Sequence, residues 1–207
     1  THMTSILKVD SIQNAAGTAA MTIDSGGVVA EPNKEYFQVE LTTTMTGLAD
    51  VSVHTVDFGV KGTVKYDTKS NFDSANDAYL LGSSDGVYLI NFSIGIRSND
   101  ISAETIIDAI AAVFAAPDGT TFEAVNGAGF RGYDRNNDET GSVMLSGSFI
   151  YKSTTATTKI ILKGFANTYS SDTYQISDDA QANQGSVSSA DSFATARCTF
   201  LSVVRIA

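Results

Sequence analysis

The sequence predicts an all-β protein, and three observations predict it. The stretch from Asp85 to Ile96 alternates strictly, with Tyr88, Ile90, Phe92, Ile94 and Ile96 on one strand face and Leu89, Asn91, Ser93 and Gly95 on the other. Only 17% of the 207 residues are charged, and Thr, Ser, Gly and Asn fill much of the remainder, which suits strands and turns better than long helices. At 43% hydrophobic residues, a chain of this length can bury the core of a single β-sandwich plus an appendage.

Taken in order, Thr1-His2 before Met3 reads as a cloning remnant, which makes Met3 the expected natural start. Residues 3–35 form an N-terminal segment of short strands around Ser5–Ile12 and Met21–Asp24, too short to fold alone. Glu31-Pro32-Asn33-Lys34 marks the expected boundary, and residues 36–207 the main domain. Phe37, Val39 and Leu41 then share one face of a strand. Val51–Val60 reads as a second, with His54, Val56, Phe58 and Val60 in step, and Val64–Asp67 and the region of Phe72 continue the pattern.

Local signals conflict over 102–116. Ile106, Ile107, Ile110, Val113 and Phe114 fall at helical spacing, whereas Ile106, Ile110, Ala112 and Phe114 make one face of a strand interrupted by Asp108. Neighbouring strands decide for strand. The turn Pro117-Asp118-Gly119-Thr120 closes it. Thr121–Val125 leads into a Gly-rich bend and a polar loop. Val143, Leu145, Phe149 and Tyr151 alternate up to the 153–157 loop, and with Ile160–Phe165 this predicts a hairpin. Asn167–Ser192 reads as a surface excursion, and Cys198–Ile206 as a closing apolar strand pinned in mid-sheet.

Two resemblances follow. Leu7–Thr18 and Met21–Val28 resemble the N-terminal segment of tail-fibre and appendage proteins of marine tailed bacteriophages, which implies an attachment or trimerisation element. Phe37-Gln38-Val39, Asn71-Phe72-Asp73, Gly86–Phe92, the segment at Ser142–Leu145 and the terminal Phe200–Val203 resemble, in that order, the complement globular-head and TNF family. Gly86, Tyr88 and Phe92 carry the strongest element of that likeness. The family implies a jelly-roll β-sandwich that assembles as a tight homotrimer through aromatic and aliphatic faces. The Ala-rich 106–116 segment and the 167–192 excursion depart from its pattern.

Composition and motifs exclude most chemistry. The net charge of −10 repels a phosphate backbone and an anionic membrane surface, so no nucleic acid is expected. No apolar run approaches the roughly 20 residues that span a bilayer, and the N-terminus lacks a secretory layout, so a soluble protein made in the cytoplasm is expected. With His2 set aside, His54 is the one histidine and Cys198 the one cysteine. An intrachain disulfide is impossible, and a zinc-type site would need several chains. His54 is expected as a packed sheet residue, and Cys198 as a small buried hydrophobe. Asp134–Glu139 places oxygen side chains at alternate positions as calcium loops do, but lacks the Gly and the distant Glu of the full motif, and reads as a solvated acidic loop.

No catalytic residue, metal site or cofactor is therefore expected. The expected function is that of a non-enzymatic virion protein, a homotrimeric tail-fibre or appendage knob. It would meet other virion proteins through residues 3–35 and a host receptor or glycan through its loops. The alternatives are a trimeric lectin-like module, tested by glycan or calcium binding with Asp134→Ala and Asp138→Ala, and a capsid decoration protein.

Overall fold

The computed structural model describes residues 10–13, 15–17, 19–23, 25–27, 29–30, 34–98, 106–131, 142–168, 173–178 and 198–207. The chain divides into two units, Thr1–Glu35 and Tyr36–Ala207. In the first, β1 (Ser11–Gln13), β2 (Ala19–Ile23) and β3 (Val29–Ala30) form an antiparallel sheet in sequence order. Glycines at positive φ, Gly17 and Gly27, lie between its strands.

The second unit is built from strands β4 (Tyr36–Leu41), β5 (Met45–Ala49) and β6 (Ser52–Thr55), a helical turn α1 (Phe58–Lys61), and β7 (Gly62–Asp67), β8 (Phe72–Asp73) and β9 (Ala78–Leu80). Then come β10 (Val87–Ser98), β11 (Ile106–Ala116), β12 (Glu123–Arg131), β13 (Ser142–Lys152), β14 (Lys159–Thr168), β15 (Thr173–Ser177) and β16 (Phe200–Arg205). They form two antiparallel sheets. The larger has β10 at its centre, paired along one edge with β13 and along the other with β16 and β15 in line. β4 and β5 lie in line beside that broken strand, and β7 closes the edge. The smaller sheet runs β12-β11-β14-β9-β8, with β6 also on β14.

Alternation along β10 directs Tyr88, Ile90, Phe92, Ile94 and Ile96 into the core, where all five are fully buried. Burial of each such side chain contributes about 1.5–3 kcal/mol relative to exposure. Phe37, Val39 and Leu41 of β4 join them, with Leu201 and Val203 of β16. The terminal strand does lie in mid-sheet, between β10 and β4. Opposite them the smaller sheet supplies Ala109, Ala111, Val113 and Ala115 from β11 and Ile160, Leu162 and Ala166 from β14. The Phe37 ring stacks on Tyr79 at 4.1 Å between centroids, joining the two sheets.

Two glycines fit the aromatic residues of β10. A Cβ on Gly86 would stand 2.8 Å from the Tyr88 ring, and one on Gly147, opposite Phe92 in β13, would stand 2.6 Å from the Phe92 ring. The spacing Gly86-x-Tyr88 therefore reflects room for a ring, whose hydroxyl donates to Leu81 O. The left-handed turn before it belongs to Asp85, at φ 64°.

Several expectations are corrected. The strand expected over Val51–Val60 stops at Thr55, because the Asp57 carboxylate accepts from Val60 N at 2.9 Å and Asp77 accepts from Gly59 N at 2.6 Å, winding the chain into α1. Residues 106–116 are a strand, but with the opposite face inward. A register shift between Ile106 and Asp108 turns Ala109, Ala111, Val113 and Ala115 to the core and leaves Ile110 out.

The Gly-rich bend is strand, since β12 pairs with β11 through Gly127 and Gly129, with a register shift at Val125. A Cβ at Gly127 would stand 2.9 Å from Ala111 O, which explains the small residue. The expected hairpin is a crossover: β13 pairs with β10 in one sheet and β14 with β11 in the other. The excursion expected from Asn167 begins too early. Asn167 and Thr168 belong to β14, and Tyr174 and Ile176 of β15 are fully buried. The 134–139 loop, 169–172 and 179–192 of the excursion, and 5–9 of the strand expected over Ser5–Ile12 lie outside the described residues.

Candidate assembly face

The outward face of the larger sheet follows from register. Residues that alternate with the buried set of β10 stand beside their partners in rows. One row reads Ile150, Leu89, Val204, Tyr36 across β13, β10, β16 and β4. Val87 and Ile206 flank it, joined by a hydrogen bond from Ile206 N to Val87 O at 2.8 Å. Ile150 is 66% exposed and Tyr36 40%. No charged side chain interrupts this apolar row. The next row is polar and self-satisfied: Ser148 donates to Asn91 Oδ1 at 2.7 Å, and Asn91 Nδ2 donates to Ser202 at 3.3 Å. Beyond it, Lys65 pairs with Glu40 at 3.3 Å.

The side of the sandwich next to Ile150 is also open. Among the described residues β13 pairs only with β10 and β12 only with β11, so two strands of 11 and 9 residues lie side by side with one edge each unpaired. Neither carries a charge from Ala124 to Gly129 or from Ser142 to Tyr151. Edge strands are ordinarily guarded by charge, shortness or cover. Here β7 is guarded by Lys65 and Asp67, and β8 by its two-residue length and the Asp73–Lys159 ion pair at 3.3 Å. Among the described residues, the β12–β13 side has no such protection. On the other outer face Val53, Phe165 and Ile110 also align, but beside them Lys163 lays its ammonium over the Phe114 ring, 4.6 Å from its centre.

Of the residues considered for chemistry from the sequence, those described are not gathered into a site. His54 Nε2 lies 3.4 Å from Ala49 O, and the ring meets Tyr174 edge-on at 5.7 Å. The Tyr174 hydroxyl is shared between Ser52 O and Gly164 O, and burial, with the negative charge of Asp50, pushes the phenol above its ordinary pKa. Cys198 is buried, its thiol directed to Ser177 O at 3.2 Å, as expected of a small core residue. Asp178 accepts from Thr44 at 2.5 Å. Asp77 has its pKa raised by burial and by the charges of Asp57 and Asp73, against the opposing pull of the Gly59 and Phe58 N–H groups. No group of three or more His, Cys, Asp or Glu capable of holding a metal occurs among the described residues, and no described helix is long and apolar enough to cross a membrane. The row itself was missed in the sequence because it exists only once four strands are in register.

This two-sheet order, with the terminal strand beside the central one, has solved counterparts. Murine APRIL at pH 8.5 matches with a TM-score of 0.51 and 11% identity, over 84% of this chain and all of that one. Eiger TNF from S. frugiperda matches with a TM-score of 0.51 and 8% identity, over 84% of this chain and 93% of that one. The fold is a TNF-like jelly roll. No family model and no curated protein matches the sequence. The interrupted strand β15/β16 and the alanines of β11 are thus placed within a TNF-like framework.

Proposed function

We propose that this chain is a non-enzymatic structural protein of a bacteriophage virion, a homotrimeric knob on a tail fibre or appendage whose N-terminal segment engages other virion proteins. The observation that carries the assembly is the apolar row beside two uncharged open edges. A row on one surface and an open side on another are different patches of one copy, and a contact between unlike patches generates a ring when the rotation closes. The likeness to the complement globular-head and TNF family makes three copies the expected closure. The virion role rests on the resemblance of residues 7–28 to phage tail-fibre segments. A knob of three copies presents each surface contact in triplicate, so weak single contacts with a host surface gain avidity.

Sedimentation at micromolar concentration tests the assembly, with an expected mass three times the 21.8 kDa of one chain. Ile150→Lys with Leu89→Lys places charge in the row and is expected to yield a folded monomer. A monomeric wild type would remove the proposal. Antibody labelling of virions tests the location, and labelling confined to the capsid would replace the fibre knob with a decoration protein.

A further inference from the structure

We propose that the recess between two turns of the smaller sheet binds an uncharged pyranose sugar, an inference that rests on the reading of a knob in contact with a host surface and gives that contact a place. One turn joins β8 to β9 and carries Asn76, and the other follows β11 and carries Gly119, Thr120 and Phe122. In the sheet order β11-β14-β9-β8, Lys159 at the start of β14 and the fully buried Ala78 of β9 lie between those turns. The space enclosed is about 340 Å³, in the lower part of the range of small-ligand sites. Phe122 is half-buried but stands apart from the core cluster. Its ring offers an apolar face to the C–H face of a sugar, and the amide, hydroxyl and ammonium around it offer hydrogen-bonding groups to the rim.

Both turns are fixed before any ligand arrives. In the first, Asn76 N donates to Asp73 O at 3.2 Å, and Asn76 Nδ2 and Lys159 Nζ both donate to Asp73 Oδ2, at 2.8 Å and 3.3 Å. The Asn76 hydrogen bond, together with that of Lys159 and its charge, holds the Asp73 carboxyl below its ordinary pKa, so it stays ionised at neutral pH and orients both donors. Among the described residues Asp73 is the one partner of either side chain, which leaves the Asn76 amide its oxygen and an N–H, and Lys159 two N–H groups, for the hydroxyls of a sugar. In the second turn, Asp118 Oδ1 accepts from Thr120 N at 2.8 Å and Thr121 N at 2.7 Å, while Thr157 Oγ1 donates to Pro117 O at 2.9 Å. Preorganised groups of this kind reduce the ordering cost of binding.

Charge selects the class of sugar. Lys159 is the one charged residue in the lining, and Asp73 neutralises it at 3.3 Å. The N–H groups of Thr121 and Thr120 hold the Asp118 carboxyl far below its usual pKa, so a fixed negative charge borders the recess beside Gly119 and opposes an anionic glycan. The matching ligand is an uncharged hexose or N-acetylhexosamine. The proposed assembly leaves the recess open, because none of its lining residues belongs to the apolar row or to the uncharged stretches Ala124–Gly129 and Ser142–Tyr151 of the unpaired edges. Glu123 separates Phe122 from the first of those stretches, and β14 and β9 are the third and fourth strands counted from the free edge of β12.

The experiment titrates the full chain with methyl glycosides of glucose, galactose, mannose and N-acetylglucosamine, and with methyl glucuronide as the charged counterpart. Binding is followed by saturation-transfer NMR and calorimetry, with sedimentation of every sample. At least one neutral glycoside is expected to bind with Kd on the order of millimolar, and the glucuronide more weakly. Loss of the ring in Phe122→Ala is expected to weaken binding about tenfold. Asn76→Ala, at an exposed position outside the core, is expected to weaken it about threefold. Absence of binding by all four neutral glycosides in a protein of trimer mass overturns the site alone, whereas binding by a protein of monomer mass supports the site and removes the assembly. Normal binding by both variants places the sugar elsewhere and overturns the proposal, as does a preference for the glucuronide.

Discussion

Two inner strands, β10 of the larger sheet and β11 of the smaller, face each other with opposite contents. β10 sends in five large side chains from Tyr88 to Ile96, while β11 sends Ala109, Ala111, Val113 and Ala115. Sheets stack about 10 Å apart, so bulk on one side requires economy on the other. The alanine content of β11, which locally favours helix, is here the complement of the aromatic and branched residues of β10. Propensity and tertiary demand disagree at this strand, and packing wins.

The sharpest way to break this complementarity is to remove bulk. Phe92→Ala deletes a ring with almost no solvent exposure and is expected to cost about 3–5 kcal/mol in chemical denaturation. A loss below about 1 kcal/mol would mean that the sheets close around the gap. Next in size, Ala111→Leu adds bulk to the lean side and is expected to cost about 1–3 kcal/mol. If the same change at the outward-facing neighbour (Ala112→Leu) costs as much, the inward face of β11 has been misassigned.

Gly147→Ala inserts a methyl group 2.6 Å from the Phe92 ring and is expected to cost about 1–2 kcal/mol. Adding Phe92→Leu to it is expected to cost less than the two separate losses combined, as contacting residues are non-additive. The smallest effect lies outside both strands. Asp77 has a raised folded pKa, so its ionised form penalises the fold at neutral pH, and the penalty fades as pH falls through that value. Asp77→Asn keeps the acceptor for Gly59 N and suits φ 53°. Discounted for solvent exposure, it is expected to raise Tm about 1–2 °C at pH 7 and leave it unchanged at pH 3, measured by thermal scans.

The same contrast shows what the residue order reveals. β10, β4 and β16 were legible because each alternates against a partner that does not interrupt it. β11 was legible as a strand but not in its facing, since one shifted residue at Ile107 reverses every position after it. β12 looked like a bend because two glycines mark turns unless a neighbour demands small residues. The pairing of β13 and β14 with different sheets is a long-range choice that neither segment encodes locally. At the candidate assembly face, Leu89, Ile150 and Tyr36 each looked like ordinary outward residues of a strand. Their meaning comes from rows formed by strands as far apart in sequence as β4 and β16.

One further consequence follows from the broken strand. β15 ends and β16 begins at the same height on β10, with Cys198 N donating to Asp178 O at 3.3 Å and Thr199 Oγ1 donating to Ser177 O at 2.6 Å. β4 and β5 part at that height too, and Thr44 ties the gap to Asp178. The sheet is thus stitched shut between Asp178 and Cys198, which lie side by side. Closing a longer loop adds only about 0.6 kcal/mol per doubling, so a segment inserted between these two points is expected to leave the framework beneath it unchanged.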